Sequence, residues 1–187
     1  MKAVLESGVV TAGGIVIAID YLKCSGCRRC EVVCSISHEG RIWPEASRIR
    51  VFAPSPGIEV PHVCVQCDEH PCVDGCPVGA LSVDGGTGAI IVGEECIGCG
   101  GCIEACPGSI PHLHPVTRKA LICDLCEGEP LCVKACSEGG WNALKIIRRE
   151  ERARYGVQPR KPMEVAEELA ARLFGEKGRR ILPDANS

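Results

Sequence analysis

Short runs of β-branched and other aliphatic residues recur along the chain, and each of them precedes a stretch rich in cysteine. The runs cover residues 14–18, 58–63, 89–92 and 120–122. Another run, Leu81–Val83, is separated from residues 89–92 by Asp84-Gly85-Gly86-Thr87-Gly88, which is typical of a hairpin turn. The pattern therefore predicts a repeated unit of a short strand, a cysteine loop, one or two helical turns and another strand.

A helical pattern follows near the end of the chain, between Pro162 and Gly175. The residues that share its apolar side are Val165, Ala166, Leu169 and Leu173. Two locations are open for that side, the chain's own body and another subunit. Residues 145–160 carry five Arg and Lys145, which indicates either a partner-docking strip or an ordinary solvated surface.

Residues 35–60 contain Trp43-Pro44 and the turn-forming stretch Pro54–Gly57. We interpret them as a connecting segment rather than another domain. A surface insertion is favoured over a functional loop.

The composition shows what must hold such a chain together. Its 187 residues include only two Phe, two Tyr and two Trp, but sixteen Cys, which indicates a disulfide scaffold or a metal protein. Residues 1–19 lack the charged start and cleavage site of a signal peptide, and no run approaches the roughly 20 apolar residues of a membrane span. We therefore expect a protein of the reducing cytoplasm, where thiols bind metal more often than they form disulfides.

The cysteines fall into four groups of four. Groups one and three have the spacing C-x2-C-x2-C-x3-C of bacterial ferredoxins, whereas the middle gap is four residues in group two and five in group four. The groups are Cys24, Cys27, Cys30 and Cys34; Cys64, Cys67, Cys72 and Cys76; Cys96, Cys99, Cys102 and Cys106; and Cys123, Cys126, Cys132 and Cys136. Small residues such as Gly98 let a short loop curl around an iron–sulfur cluster and leave backbone N–H groups free to point at it.

Other kinds of site explain this spacing less well. Structural zinc sites combine two separated C-x2-C pairs and have no use for a third nearby Cys. The five histidines are His38, His62, His70, His112 and His114. No Cys is missing for any of them to replace as a ligand, so we interpret them as residues around the clusters or on the surface.

The four groups resemble those of the four-cluster ferredoxin-like subunits of molybdenum and tungsten oxidoreductases, which include the small subunits of dimethyl sulfoxide reductase and formate dehydrogenase. The resemblance covers residues 15–146. Within it, Cys34–Gly40 and Cys123–Cys132 look most like the small subunits that accompany tungsten aldehyde oxidoreductases. Carriers linked to carbon monoxide dehydrogenase and hydrogenase are similar too.

The repeat and the resemblance together predict an α+β fold. Residues 1–147 should form two pseudo-symmetric bacterial ferredoxin-like units of short strands, cysteine loops and short helices. Residues 148–187 should form a C-terminal extension with an amphipathic helix.

The pairing of the groups follows from the residue after the fourth Cys. Groups two and three have Pro77 and Pro107 there and are joined by the short hairpin, while groups one and four have Ser35 and Ser137. In a two-cluster ferredoxin the fourth Cys crosses to the other cluster. The ligands expected for four [4Fe–4S] clusters are Cys24, Cys27, Cys30 and Cys136 (set 1); Cys34, Cys123, Cys126 and Cys132 (set 2); Cys64, Cys67, Cys72 and Cys106 (set 3); and Cys76, Cys96, Cys99 and Cys102 (set 4).

The side chains offer no nucleophile–base set and no phosphate loop, so we expect an electron-transfer subunit rather than an enzyme. The resemblance implies a large tungsten- or molybdenum-pterin catalytic subunit as one partner, and the motifs most resemble those that accompany an aldehyde oxidoreductase. It implies a further electron carrier or flavin subunit as the other partner. No nucleic-acid contact or direct membrane insertion is expected. The alternatives are a freestanding polyferredoxin serving a hydrogenase or carbon monoxide dehydrogenase and a structural scaffold stabilised by metal.

Overall fold

A computed structural model describes residues 14–183. The expectation about a signal peptide concerns mainly residues 1–13, which lie outside the described residues. The strands are β1 Ile15–Ile19, β2 Arg50–Ser55, β3 Ile58–His62, β4 Leu81–Val83, β5 Ile90–Val92, β6 His112–Leu113, β7 Ala120–Leu121 and β8 Leu144–Arg148. The α-helices are α1 Arg29–Glu39, α2 Pro71–Asp74, α3 Gly101–Ala105, α4 Leu131–Glu138 and α5 Pro162–Phe174.

The strands pair two by two in four antiparallel ladders, β1 with β8, β2 with β3, β4 with β5, and β6 with β7. In the first ladder Ile15 lies opposite Arg148 and Ile19 lies opposite Leu144. Val16 and Ile17 are consecutive and therefore point to opposite faces of the ladder, and both are buried, so this two-stranded ladder is packed on both faces. The ladder thus joins the beginning of the cysteine-rich region to its end.

Cysteine side chains occupy much of the main core. The members of its hydrophobic cluster that are cysteines are Cys30, Cys34, Cys64, Cys72, Cys102, Cys123, Cys132 and Cys136. Around them, α1 packs against α4, and α2 packs against α3. The few aromatic residues of the sequence are therefore compatible with a compact core, because thiols and aliphatic side chains fill it.

A second, smaller core lies between α5 and the β2–β3 hairpin. Val165 and Leu169 of α5 are buried against Ile58 and Val60 of β3. Of the two locations left open by the sequence, the apolar side of this helix therefore occupies the chain's own body. Leu173 was wrongly placed on the buried side: it is 49% exposed, because the residues of α5 in contact with the hairpin end at Ala170.

Most predicted elements are present at the expected places. β1, β3, β5 and β7 overlap the four aliphatic runs, β4 and β5 form the predicted hairpin, and α5 spans the predicted helix. Three strands were missed, one of which, β6, has only two residues. β2 lies within the segment interpreted as a connection, where Pro54 argues against a strand, and β8 begins the run interpreted as a basic strip.

No helix within residues 14–183 is long and apolar enough to cross a membrane.

Candidate metal centres

Each cysteine loop turns through residues with a left-handed backbone. The residue before the second Cys has φ = 68° at Gly26, 49° at Gln66, 67° at Gly98 and 60° at Leu125. A second left-handed residue starts the helix that follows in groups one to three, namely Arg28, His70 and Gly100. These two turns curl each loop, so that three thiols from one group face a common space.

The fold brings the sixteen cysteines together in four places. The four cysteines of set 1 line one small cavity, as do those of set 2 and those of set 4. In set 3, the pKa of Cys64 is raised to about 12 and that of Cys72 to about 11, mainly by burial and in addition by the nearby thiolates of Cys67 and Cys106. Every group thus contributes three cysteines to one place and its fourth cysteine to another.

The fourth cysteines share one more property, since each accepts a hydrogen bond from a backbone N–H. The distances from the backbone nitrogen to Sγ are 3.3 Å from Arg48 to Cys34, 3.3 Å from Ala80 to Cys76, 3.5 Å from Ile110 to Cys106 and 3.3 Å from Ala143 to Cys136. A thiolate accepts such bonds better than a thiol does, but four thiolates in one place repel one another unless a cation lies among them. The donors and the crowded, largely buried sulfurs therefore fit metal held by thiolates.

The sets follow one another in a row. Burial raises the pKa of Cys123, and the thiolates that raise it further include Cys64, which belongs to set 3. Set 1 is next to set 2, because Cys30 lies close enough to raise the pKa of Cys132. Cys102 has the same effect on Cys72, so set 4 is next to set 3. The order is set 1, set 2, set 3, set 4.

Exposure differs along this row. Of the sixteen cysteines only Cys27 and Cys99 are exposed, and these belong to sets 1 and 4 at its two ends. The two inner sets contain only buried and half-buried cysteines.

Within residues 14–183, His38 is the histidine whose ring forms hydrogen bonds with a cysteine of the sets. Its Nδ1 lies 2.7 Å from the carbonyl oxygen of Cys34 and 3.7 Å from that residue's Sγ, and its Nε2 lies 3.0 Å from a carboxylate oxygen of Asp124. The hydrogen bonds with Asp124 and Cys34 raise the pKa of His38 to about 10. His38 therefore lies beside set 2 as a hydrogen-bonding neighbour.

The other histidines make different contacts. His62 Nε2 lies 3.1 Å from the carbonyl oxygen of Arg160, and His114 Nδ1 accepts the backbone N–H groups of Val116 and Thr117. Among residues 14–183, neither ring nitrogen of His112 has a hydrogen-bond partner, and neither does Nε2 of His70.

Two features of the site were missed by sequence reasoning. Part of the basic run is used internally: Arg149 and Arg152 form ion pairs with Asp68, at 3.2 Å and 3.0 Å, next to Cys67. Gln66 is fully buried between sets 2 and 3. No periodicity marks either feature, because the partners lie more than 50 residues apart in the sequence.

Known proteins share these motifs. Residues 57–146, which contain groups two, three and four, match the family described as the 4Fe-4S dicluster domain. The chain is 55% identical over 155 residues to the aliphatic sulfonate oxidoreductase, polyferredoxin-like subunit, of Pyrococcus furiosus. The aligned residues are 82% of this chain and 90% of that relative. It is 34% identical over 170 residues to the electron transport protein HydN of Escherichia coli, covering 78% of this chain and 94% of the relative.

A solved structure, the active site complex BamBC of benzoyl coenzyme A reductase, contains a chain that is 28% identical, with a TM-score of 0.43. The match covers 89% of this chain and 94% of that one. The sequence relatives decide the assignment: this chain belongs to the 4Fe–4S dicluster family of ferredoxin-like, non-catalytic electron-transfer subunits of oxidoreductases.

Proposed function

We propose that the chain holds four [4Fe–4S] clusters, one in each of sets 1 to 4, and relays single electrons between the active site of an oxidoreductase and another carrier. The observation that carries the proposal is the 3 + 1 arrangement, in which each place receives three cysteines from one group and one from another. This arrangement is the ligand pattern of two-cluster ferredoxins, used twice. On this proposal, residues 1–147 are two pseudo-symmetric ferredoxin units and residues 148–187 are an extension.

A [4Fe–4S] cluster, when bound, takes up and releases one electron at a time at a potential that its surroundings set. The chain's own residues supply those surroundings. Backbone N–H groups directed at the fourth cysteines stabilise negative charge on the sulfurs, and the buried inner sets are kept from water. The exposed Cys27 and Cys99 place the two ends of the row within reach of two different partners.

The identity of the partner is the finer part of the proposal. We favour a large tungsten- or molybdenum-pterin subunit in the cytoplasm, with an aldehyde oxidoreductase as the type that the sequence most resembles. The name of the Pyrococcus relative adds aliphatic sulfonates as a second candidate substrate class. The competing possibility, a freestanding polyferredoxin, is supported by the similarity to a protein named only for electron transport.

Anaerobic purification tests the cofactor content. Four clusters require about sixteen iron and sixteen sulfide ions per chain, and visible absorption that bleaches reversibly with dithionite. About eight iron ions would contradict the count of four, and zinc in place of iron would contradict electron transfer altogether.

Co-purification tests the partner. A tagged chain expressed in its own host should bring down a large subunit that contains tungsten or molybdenum, and that complex should oxidise an aldehyde or an aliphatic sulfonate when given an electron acceptor. Recovery of the chain alone, with four clusters, would favour the freestanding carrier. A colourless chain that does not bleach would instead favour the structural scaffold.

A further inference from the structure

A glutamine side chain reaches across the junction between the two inner sets. Gln66 belongs to the loop of group two, and its Nε2 donates a hydrogen bond of 2.9 Å to the carbonyl oxygen of Cys123 in group four. The backbone carbonyl oxygen of Gln66 accepts a hydrogen bond of 3.1 Å from Nη1 of Arg152. Gln66 lies between Cys64 and Cys67 in the sequence, which are two cysteines of set 3. Gln66 is thus tied to both inner sets at once.

The backbone of Gln66 makes its presence unexpected. The equivalent residue is Gly26 in group one and Gly98 in group three, and all of these positions have a left-handed backbone. Glycine adopts that conformation without strain, whereas a residue with a Cβ does not. A glycine at position 66 would therefore form the loop more easily, and the strain of Gln66 indicates that its side chain has another role.

The same exception occurs on the other side of the junction. Group four has Leu125 at the equivalent position, again with a left-handed backbone, and both Leu125 and Gln66 are 0% exposed. The outer sets 1 and 4 thus use glycine at this position, and the inner sets 2 and 3 use a large side chain. The large side chains thus occur in the loops of the two inner sets, and the Gln66 side chain reaches the group-four loop at Cys123.

We propose that Gln66 is a positioning residue that fixes the two inner sets relative to each other through its amide contact with Cys123. The inference rests on the proposed function, because it concerns clusters held by sets 2 and 3. Two consequences follow from the contact. The two loops keep a fixed separation, and the amide N–H beside Cys123 stabilises negative charge on the set 2 side of the junction.

Three variants of the full chain test this. Gln66→Met keeps the length of the side chain but has no N–H donor. Gln66→Gly also removes the donor and supplies the residue that the left-handed backbone prefers. Gln158→Met makes the same chemical change at an exposed position outside the cysteine groups and is the control.

The measurements are iron content, redox potentials and electron paramagnetic resonance spectra of the dithionite-reduced protein. We expect both Gln66 variants to keep the parent's iron content, to lose part of the magnetic interaction between the inner clusters, and to shift one midpoint potential to a lower value. The control should match the parent in all three. A shift shared by Gln66→Met and Gln66→Gly identifies the amide, because the two changes affect the strain of the loop differently.

Two outcomes would overturn the inference while leaving the four-cluster proposal intact. One is a parent-like interaction and parent-like potentials in Gln66→Met and Gln66→Gly. The other is the loss of clusters 2 and 3 from both variants, which would show that Gln66 is needed to form its loop rather than to position it. A parent protein with fewer than four clusters would instead defeat the proposed function.

Discussion

Close backbone contacts limit which residues the cysteine loops can contain. A Cβ added to Gly98, which has φ = 67°, would lie 2.3 Å from the carbonyl oxygen of Arg118 in the β6–β7 turn. Gly79 has nearly the same backbone, with φ = 63°, but nothing lies within 4 Å of its added Cβ. The two glycines therefore separate the cost of left-handed strain from the cost of a steric clash.

We expect Gly79→Ala to lower the free energy of unfolding by about 1 kcal/mol, the ordinary cost of left-handed strain, and to keep all clusters. Gly98→Ala must in addition displace the β6–β7 turn from the loop of set 4. It should lose about four iron ions per chain, which corresponds to one cluster. Iron analysis and thermal unfolding check both variants, and equal behaviour of the two would contradict the clash.

His112 of β6 gives the fold a dependence on pH. Burial, helped by the charge of Arg50, lowers the pKa of His112 to about 4. In the unfolded chain this histidine has an ordinary pKa of about 6.5. Between these values the unfolded state binds more protons than the folded state, so stability falls as the pH decreases from about 6.5 towards 4.

His112→Gln should remove this part of the pH dependence. Between pH 7.5 and pH 5.5 we expect the parent to lose about 1 kcal/mol more stability than the variant. Chemical unfolding of both proteins at the two pH values measures the two losses. Acid affects the clusters of both proteins equally, so this effect cancels when one loss is subtracted from the other. Parallel losses in the two proteins would show that His112 does not titrate in this way.

At this scale the sequence predicted the chemistry but not the contacts. The four cysteine groups were recognisable from spacing alone. The bond from Gln66 to Cys123 was not, because it joins residues 57 positions apart and places a strained, polar side chain where local preference favours glycine.

Among the elements, α5 and the β2–β3 hairpin depend on each other. The hairpin has Ile58 and Val60 on the face that α5 covers, and both are fully buried. Without the helix these side chains would face water. The C-terminal part of the chain is therefore needed to complete the fold around the segment between groups one and two.

Leu169→Ala should lower the free energy of unfolding by about 3 kcal/mol, since it removes buried methyl groups and leaves a cavity against the hairpin. Leu173→Ala is the matched control, because Leu173 is 49% exposed and its truncation should change stability by less than about 0.5 kcal/mol. Thermal and chemical unfolding measure both. Similar losses would mean that α5 contributes little by packing on the hairpin.

Local patterns predicted α5 well and β8 badly, for a physical reason. The helix has apolar residues at helical spacing, a proline at its first position and a glycine after its last one. β8 has the sequence Leu-Lys-Ile-Ile-Arg, and its exposed Lys145 and Ile146 interrupt any simple alternation. Pairing with β1, more than 120 residues earlier, makes it a strand, and such long-range pairing overrides local preference.

In the whole molecule, the crossing of the fourth cysteines links distant parts of the chain. Cys34 leaves group one and joins the cavity of set 2, while Cys136 leaves group four and joins set 1. The residue that follows each fourth Cys led us to expect both exchanges from the sequence, and the ligand sets built on them belong to the proposed function. It did not predict the β1–β8 ladder, which holds the two partners of the exchange in place.

Cys34→Ser tests the assignment of ligands to sets 1 and 2. It should disturb the cluster of set 2 and leave that of set 1 unchanged, although Cys34 is close in sequence to the ligands of set 1. Cys30→Ser is the control and should disturb set 1. The electron paramagnetic resonance spectra and iron content of the two variants decide, and damage by Cys34→Ser confined to set 1 would rule out the crossed arrangement.

The β1–β8 ladder also bears on the order in which the clusters can assemble during synthesis. On the proposed ligand sets, sets 3 and 4 have all their cysteines once the ribosome has added residue 106, whereas set 2 needs Cys132 and set 1 needs Cys136, and β8 follows both. Clusters would therefore assemble first on the middle of the sequence, and Cys24 to Cys34 would bind no complete cluster until group four has left the ribosome. A chain that stops before group four would then carry clusters 3 and 4 but lack clusters 1 and 2, and with them the exposed end of the row at Cys27, so electrons could enter or leave only at the Cys99 end.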